Sequence, residues 1–256
     1  MRRTAGKLES WLGEKAAQLR SKDIRVETEL TWHSPRYEAI IDKANKVNAS
    51  LIIRSARHHS KLERLLVSAT DWGKLIRHAP QTVWLVKKRP AADRTGLNVL
   101  AAVDPVHAEE KKLGLDQRIL AAASSIADMD GGKLHLFHAW QPGAAIAPAI
   151  AAGPHVPMPI VRVDDATLKN MREQRKQLLR ELSESFGVPA ERVHLQEGAV
   201  TSVLDEVVHE HDIDVVVAGG MSRGRLERLV IGSTAEAILE SVDCDVVVVK
   251  PEKRGK

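Results

Sequence analysis

At 256 residues, 43% hydrophobic but only 3% aromatic, the chain must fill its interior with Val, Ile, Leu and Ala, which favours an α/β fold with buried aliphatic strands. One cysteine, Cys244, excludes a disulfide framework and fits a reducing cytoplasm, and no apolar run is long enough to span a membrane. The net charge of +4 is unevenly spread: residues 1–96 hold 20 Lys/Arg and 10 Asp/Glu, while residues 97–256 hold 18 and 24.

Residues 5–21 read as a helix with Leu8, Trp11, Leu12 and Leu19 on one face. A strand is expected over 24–30, a helix over 35–47 entered through Ser34-Pro35, and a strand over 51–54. A helix at 71–78 and a strand at 83–87 close this half. The polar, Pro- and Gly-punctuated stretch 88–96 reads as a linker.

Beyond it a strand over 97–104 ends in Asp104-Pro105, and a helix over about 109–127 stops near Gly131-Gly132. A strand over 134–140 leads into the Pro/Ala-rich loop 141–159, which reads as a loop packed on its own domain or as a lid beside a site. The helix over 165–186 has an acidic start and Gly187 as its stop. A strand at 193–196, a helix at 201–211, a strand into Gly219, a helix after Ser233 and a strand at 245–250 complete the series. Alternating strands and helices imply right-handed crossovers and an open parallel sheet with helices on both faces.

The segment Ala218-Gly219-Gly220-Met221-Ser222-Arg223 follows an apolar strand, and Gly232-Ser233-Thr234 stands at the next helix start. Glycine permits a turn with positive φ and a close ligand approach, and helix-start N–H groups attract anions. This spacing suits phosphate binding, although no Gly-Lys-Ser/Thr closes it as a P-loop would. A degraded copy lies 164 positions earlier. Ser55, His58 and Ser68 occupy the places of Gly219, Ser222 and Gly232, and Leu62-Glu63-Arg64-Leu65 lies on Leu226-Glu227-Arg228-Leu229. The chain is therefore expected to be a tandem repeat of residues 1–90 and 97–256, with any nucleotide held by the second unit. The first unit lacks a counterpart of 97–140. It is expected either to have its true start upstream or to be completed by rearrangement or a partner.

The motif of Gly, two residues, Gly, nine residues, Gly, then Ser or Thr resembles that of the universal stress protein family; Gly219, Gly232 and Ser233 match, and Ser222 replaces the second glycine. Thr31-Trp32-His33, Thr70-Asp71-Trp72 and the late Val83-Trp84-Leu85-Val86-Lys87 resemble the tandem E type of that family. The resemblance implies an adenine nucleotide alpha hydrolase-like sheet of strand order 3-2-1-4-5 and a cytoplasmic stress-response protein. It also implies an adenine nucleotide site for ATP, ADP or AMP, with or without Mg²⁺. Carried over, Ala102, Val103 and Asp104 meet the adenine or ribose and Ala139 the base. Ala218, Gly219, Met221 and Ser222 lie under ribose and phosphates, and Gly232, Ser233 and Thr234 donate to phosphate. A ligand-free interaction scaffold and a weak ATP hydrolase are the alternatives. No side chain in the motif is placed to activate water, so no catalytic residue is assigned.

The family also implies contact through the last strands, Val83 to Lys87 and Val246 to Lys250, as an internal pseudo-dimer or a homodimer. Scattered basic residues and few aromatics favour attraction between the oppositely charged halves over nucleic-acid binding. No partner membrane is expected. The histidines (His58-His59, His135 with His138, His209 with His211) lack Cys partners or HExxH spacing, so solvated or capping roles are expected and no metal site is assigned. His58, in a former glycine position, is the histidine best placed to touch a ligand or a metal. Trp72 is expected to fill the vacated phosphate region of the first unit.

Overall fold

A computed structural model describes residues 2–20, 22, 24–55, 71–87, 95–106, 114–129, 131–142, 164–220, 235, 238–239 and 241–251. The first half supplies α1 (Arg2–Arg20), α2 (Arg36–Lys46), β1 (Leu51–Ser55), α3 (Asp71–His78) and β2 (Thr82–Val86). The second supplies β3 (Asn98–Ala102), α4 (Leu115–Asp128), β4 (Lys133–Trp140), α5 (Asp165–Ser185), β5 (Val193–Glu197), α6 (Val200–Glu210), β6 (Val215–Gly219) and β7 (Asp245–Val249). Ala235, Ile238, Leu239 and Ser241 are helical and precede β7.

The strands form one sheet in the order β1-β2-β7-β6-β3-β4-β5. Within the second half this is the expected 3-2-1-4-5 order, parallel throughout. One core lies under α2, α3, α6 and the helical residues before β7; the other lies under α4 and α5. Both sheet faces are thus covered by aliphatic helix stripes, which is why the strands carry so little polar alternation. No helix among the described residues is long and apolar enough to cross a membrane.

The repeat is visible in the backbone. Helices α2 and α6 have the same length and start 164 positions apart, as do β1 and β6. Among the described residues the non-glycine positions with positive φ are Asn48 (51°) and Asp212 (49°), again 164 apart. Each turns the chain from the end of α2 or α6 into the following strand.

The strand expected over 24–30 is not formed; these residues are extended coil without ladder partners. Its counterpart, β5, pairs only with β4. Among the described residues no strand of the first half stands in the place of β4, so the segment has no ladder neighbour there and is not a strand. Nor do the described residues of the first half include a counterpart of α4. Val215 and Val217 of β6 are buried under α4, whereas Leu51 and Ile53, in the same places on β1, are 38% and 62% exposed. A groove of about 480 Å³ runs beside the vacant strand position, lined by Glu29, His33, Ile40, Lys43, Leu51 and Arg54. On α1 the expected apolar face is largely uncovered: Leu8, Trp11 and Leu19 are exposed, and Ala16 is buried.

Strands β2 and β7 pair antiparallel, with Val83 opposite Val248, Trp84 opposite Val247 and Leu85 opposite Val246. Trp84 and Val247 are themselves repeat counterparts, so the pairing is isologous about that pair, with a pseudo-twofold axis perpendicular to the sheet. The side chains obey the same symmetry. Lys87 Nζ donates to the carbonyls of Leu239 (2.7 Å) and Val242 (2.8 Å), near the end of the helix before β7. Its counterpart Lys250 donates to Ile76 O (2.5 Å), near the end of α3. Each half therefore sends a lysine to the carbonyl end of the other half's last helix, where a cation is favoured. Asp245 completes the seam, accepting from Trp84 Nε1 (3.0 Å) and from the Lys87 N–H (2.8 Å). Trp72 is buried and joins the core under α2 and α3. The loop it was expected to complement, 56–70, lies outside the described residues.

Candidate functional site

In the second half the chain builds outward from β3 to β4 and β5, then crosses back to place β6 and β7 on the other side of β3. The switch point is the crevice between the carboxyl ends of β3 and β6, the place where open α/β sheets bind ligands. Ala102 and Ala218 are register partners there, although 116 positions separate them. The chain leaves β3 through Val103 and Asp104 and leaves β6 through Gly219 and Gly220. Ala139 stands one strand further out, in register with Gln196. Five of the residues expected at the site, Met221, Ser222, Gly232, Ser233 and Thr234, lie outside the described residues, as do His58 and loop positions 143–159.

Gly219 is also constrained by packing, apart from its place in the motif. It is the last residue of β6, pairs with Val249 and does not have positive φ. A Cβ there would lie 2.7 Å from Leu115 Cδ2 and 3.2 Å from Ile119 Cδ1. The constraint is the close approach of α4 to the strand end. Gly220 donates its N–H to Val249 O (2.8 Å), and a Cβ on it would come within 2.7 Å of Val248 Cγ1.

Around Asp104 the structure gathers polar groups that sequence reasoning missed. The Asp104 N–H donates to Asp116 Oδ1 (3.1 Å), in the first turn of α4. Burial pushes the Asp116 carboxyl up to about 6; the hydrogen bond from Asp104 opposes this and the Asp104 charge adds to it. His138 is 4% exposed and its Nδ1 lies 2.9 Å from Val103 O, so Nδ1–H donates to that carbonyl. Burial holds its pKa below the usual imidazole value, leaving a neutral ring whose Nε2 has no hydrogen-bond partner among the described residues. Asp104 Oδ1 is 4.0 Å from the same ring. From α5, Arg175 lays its guanidinium over Trp140 at 4.7 Å from the ring centroid and donates to Met171 O (2.9 Å). A cavity of about 290 Å³ opens beside this group, lined by Pro105, Asp116, Gln117, Leu178 and Glu181. A carboxylate, a neutral imidazole and a guanidinium at one strand end can orient a polar ligand by hydrogen bonds. The signal for two of them was available: Asp116 interrupts the apolar stripe of α4, and His138 and Trp140 flank Ala139.

The expectation of solvated or capping histidines holds for His209, which is exposed and lies 2.7 Å from Asp205 O at the end of α6. It fails for His135 and His138, which are 5% and 4% exposed. Opposite faces of a strand in a two-sided α/β sheet are both interior, so alternation did not bring either ring to water.

The Asp116 carboxyl makes a test. Its pKa is 3.8 when unfolded and about 6 when folded, so its contribution to stability is present below about pH 4 and lost as pH rises through 6. Asp116→Asn retains an acceptor for the Asp104 N–H. It should raise stability above pH 6 by on the order of 2 kcal/mol, several degrees in Tm, with no gain near pH 4. Melting curves of both proteins from pH 4 to 8 check this; a constant difference across that range would refute it.

Comparison with known proteins gives consistent matches. The profile of the universal stress protein family matches residues 2–87 and 98–250. The chain is 26% identical over 246 residues to universal stress protein E of Escherichia coli K12, covering 95% of this chain and 74% of that protein. It is 30% identical over 133 residues to universal stress protein A homolog 1 of Coxiella burnetii, 52% of this chain and 86% of the relative. Among solved structures, a functionally unknown protein of Pseudomonas aeruginosa PAO1 superposes with a TM-score of 0.73 at 25% identity, over 95% of this chain and 78% of that one. A universal stress protein of Archaeoglobus fulgidus shares the fold, with a TM-score of 0.62 at 20% identity over 96% of this chain and 77% of that one.

Proposed function

Because the chain belongs to the universal stress protein family, with its matches in two tandem segments, we propose that it is a cytoplasmic stress-response protein whose second segment holds an adenine nucleotide. The observation that carries this reading is the register of Ala102 with Ala218 at the topological switch point. It sets Val103 and Asp104 beside Gly219 and Gly220, where a nucleoside can lie across two strand ends. In sequence, Met221 and Ser222 follow directly, and Gly232-Ser233-Thr234 immediately precede the helical residue Ala235. N–H groups at that helix start and two hydroxyls supply phosphate donors. The Asp104 carboxylate accepts from a ribose hydroxyl, and Ala139 offers backbone groups to the base. The first segment has Ser55 where β6 ends in Gly219, and in this reading it binds no nucleotide. The role is binding, with no residue assigned to hydrolysis.

Calorimetric titration with ATP, ADP and AMP, each with and without Mg²⁺, tests the reading. Saturation at about 100 times Kd should stabilise the protein by about 2.7 kcal/mol in a thermal melt. Gly232→Val, which blocks the helix-start N–H groups, should remove binding, and Ser222→Gly should tighten it. Absence of binding by all three nucleotides, or unchanged affinity in Gly232→Val, overturns the proposal.

A further inference from the structure

At the opposite end of the sheet three histidines from separate elements meet. His135 is near the start of β4, and His194 is near the start of β5, in register with Phe137. His135 lies two residues before Phe137, so both imidazoles project to the face covered by α6. His211 follows the last turn of α6 and closes the group. The rings of His135 and His194 stack with centroids 5.3 Å apart, and His211 lies 4.4 Å from His194 and 5.5 Å from His135. His135 Nδ1 and His194 Nε2 are 3.0 Å apart. One ring nitrogen from each of the three lies within 4.8 Å of the others.

The geometry points to a binding site for a divalent transition metal of the zinc class, held by His135, His194 and His211 with a fourth position open to water or an exogenous ligand. Three imidazoles with one vacant position form an established ligand set for Zn²⁺. At metal–nitrogen distances of about 2.0–2.1 Å, tetrahedral ligand nitrogens stand about 3.4 Å apart. The present trio lies within 4.8 Å, and the rings turn to share an ion by exchanging the His135–His194 hydrogen bond for metal ligation. Two of the ligands are 5% and 8% exposed, while the His211 side chain is 29% exposed and gives access from solvent.

The backbone holds the third ligand in place. Asn98 Nδ2 donates to the carbonyls of His211 (3.0 Å) and Asp212 (3.3 Å), and the His211 N–H donates to Val207 O (3.1 Å). Asp212, at φ 49°, completes the turn. Burial holds His135 and His194 below the usual imidazole range, with the cations Arg192 and Lys133 adding to this at His135, so each of these rings is neutral and offers one lone pair. In the metal-free contact one of the facing nitrogens, His135 Nδ1 or His194 Nε2, donates its proton to the other. Those two cations also oppose a bound dication. Glu210, with Oε2 at 4.0 Å from His211 Nε2, supplies charge of the opposite sign.

The site is independent of the proposed nucleotide crevice. His135 and Trp140 are five residues apart on β4, roughly 17 Å along the strand. The first half carries no copy of it, since Leu30 and Val47 occupy the places of His194 and His211.

Chelator-stripped full-length protein titrated with Zn²⁺ against a chromophoric competitor should take up one equivalent. Co²⁺ in its place should show the visible spectrum of a tetrahedral nitrogen site. His211→Ala removes a partly exposed ligand and should weaken Zn²⁺ binding by at least about 100-fold, since loss of a group that merely hydrogen-bonds a ligand costs about 10–100-fold. His194→Gln should do the same, and His209→Ala, on the exposed turn beside the site, should change nothing. Uptake of less than one equivalent by the wild type, or wild-type affinity in both His211→Ala and His194→Gln, would overturn the assignment.

Discussion

Leu85→Asp is expected to detach the first half of the protein from the second while β3 to β6 remain folded. Leu85 is fully buried in β2, opposite Val246 of β7, in a seam where Val83, Val246 and Val248 are also fully buried. A carboxylate there gives up its hydration among fully buried aliphatic side chains, at a cost of several kcal/mol. The first half cannot absorb that. Among the described residues strand β1 pairs with β2 alone, its outer face is exposed, and its buried Ile52 belongs to a core shared with α6 and β7. Domains are stable by only about 5–15 kcal/mol in total. Hydrogen exchange should show residues 36–55 and 71–86 losing protection while β3, β4, β5 and β6 keep theirs. Leu85→Ala should give a graded form of the effect, about 2–5 kcal/mol. Uniform protection in Leu85→Asp, or uniform collapse of both halves, would show that the seam is not the hinge of stability.

A fragment of residues 97–256 is expected to fold alone and to dimerise through β7. Removing the first half uncovers a strand of consecutive valines, Val246 to Val249, whose unpaired N–H and C=O groups invite another strand. The existing seam is isologous about Trp84 and Val247, so a second copy of β7 can take the place of β2 with Val247 opposite itself. Lys250 would then reach the carbonyl of Leu239 in the other copy, as Lys87 does now. Sedimentation should give twice the fragment mass, and Val247→Lys should return it to a monomer by placing charge at the centre of the seam. A fragment that stays monomeric at high concentration, or a dimer indifferent to Val247→Lys, refutes this arrangement.

Much of the fold was legible. Every expected helix among the described residues formed, because apolar periodicity, Pro35 before α2 and Gly187 after α5 are local signals read within a few residues. The repeat extended that legibility to tertiary structure: counterparts at a constant offset became α2 and α6, and β1 and β6, with matching bounds. The strand ends of the candidate site, Ala102 to Asp104 and Ala218 to Gly220, were also readable, since an apolar run followed by Asp-Pro or Gly-Gly marks where a parallel strand stops. The packing constraint on Gly219 was not, because the atoms that crowd a Cβ there belong to Leu115 and Ile119, a hundred positions away.

By itself, then, the sequence determined the alternation of elements, their aliphatic character and the tandem copy, all of which rest on spacing within one segment or between two similar ones. Only the tertiary structure decided that residues 24–30 are not a strand, since a strand exists through the neighbour that accepts its hydrogen bonds and the described residues supply none there. It alone decided that Lys87 and Lys250 serve each other's halves, and that Asp116 and His138 are buried beside Asp104. It alone brought His135, His194 and His211 together. A helix closes its hydrogen bonds four residues away and so announces itself locally. A ladder, a buried charge or a cluster of ligands depends on partners from distant segments, and their identity is fixed only when the sheet order is.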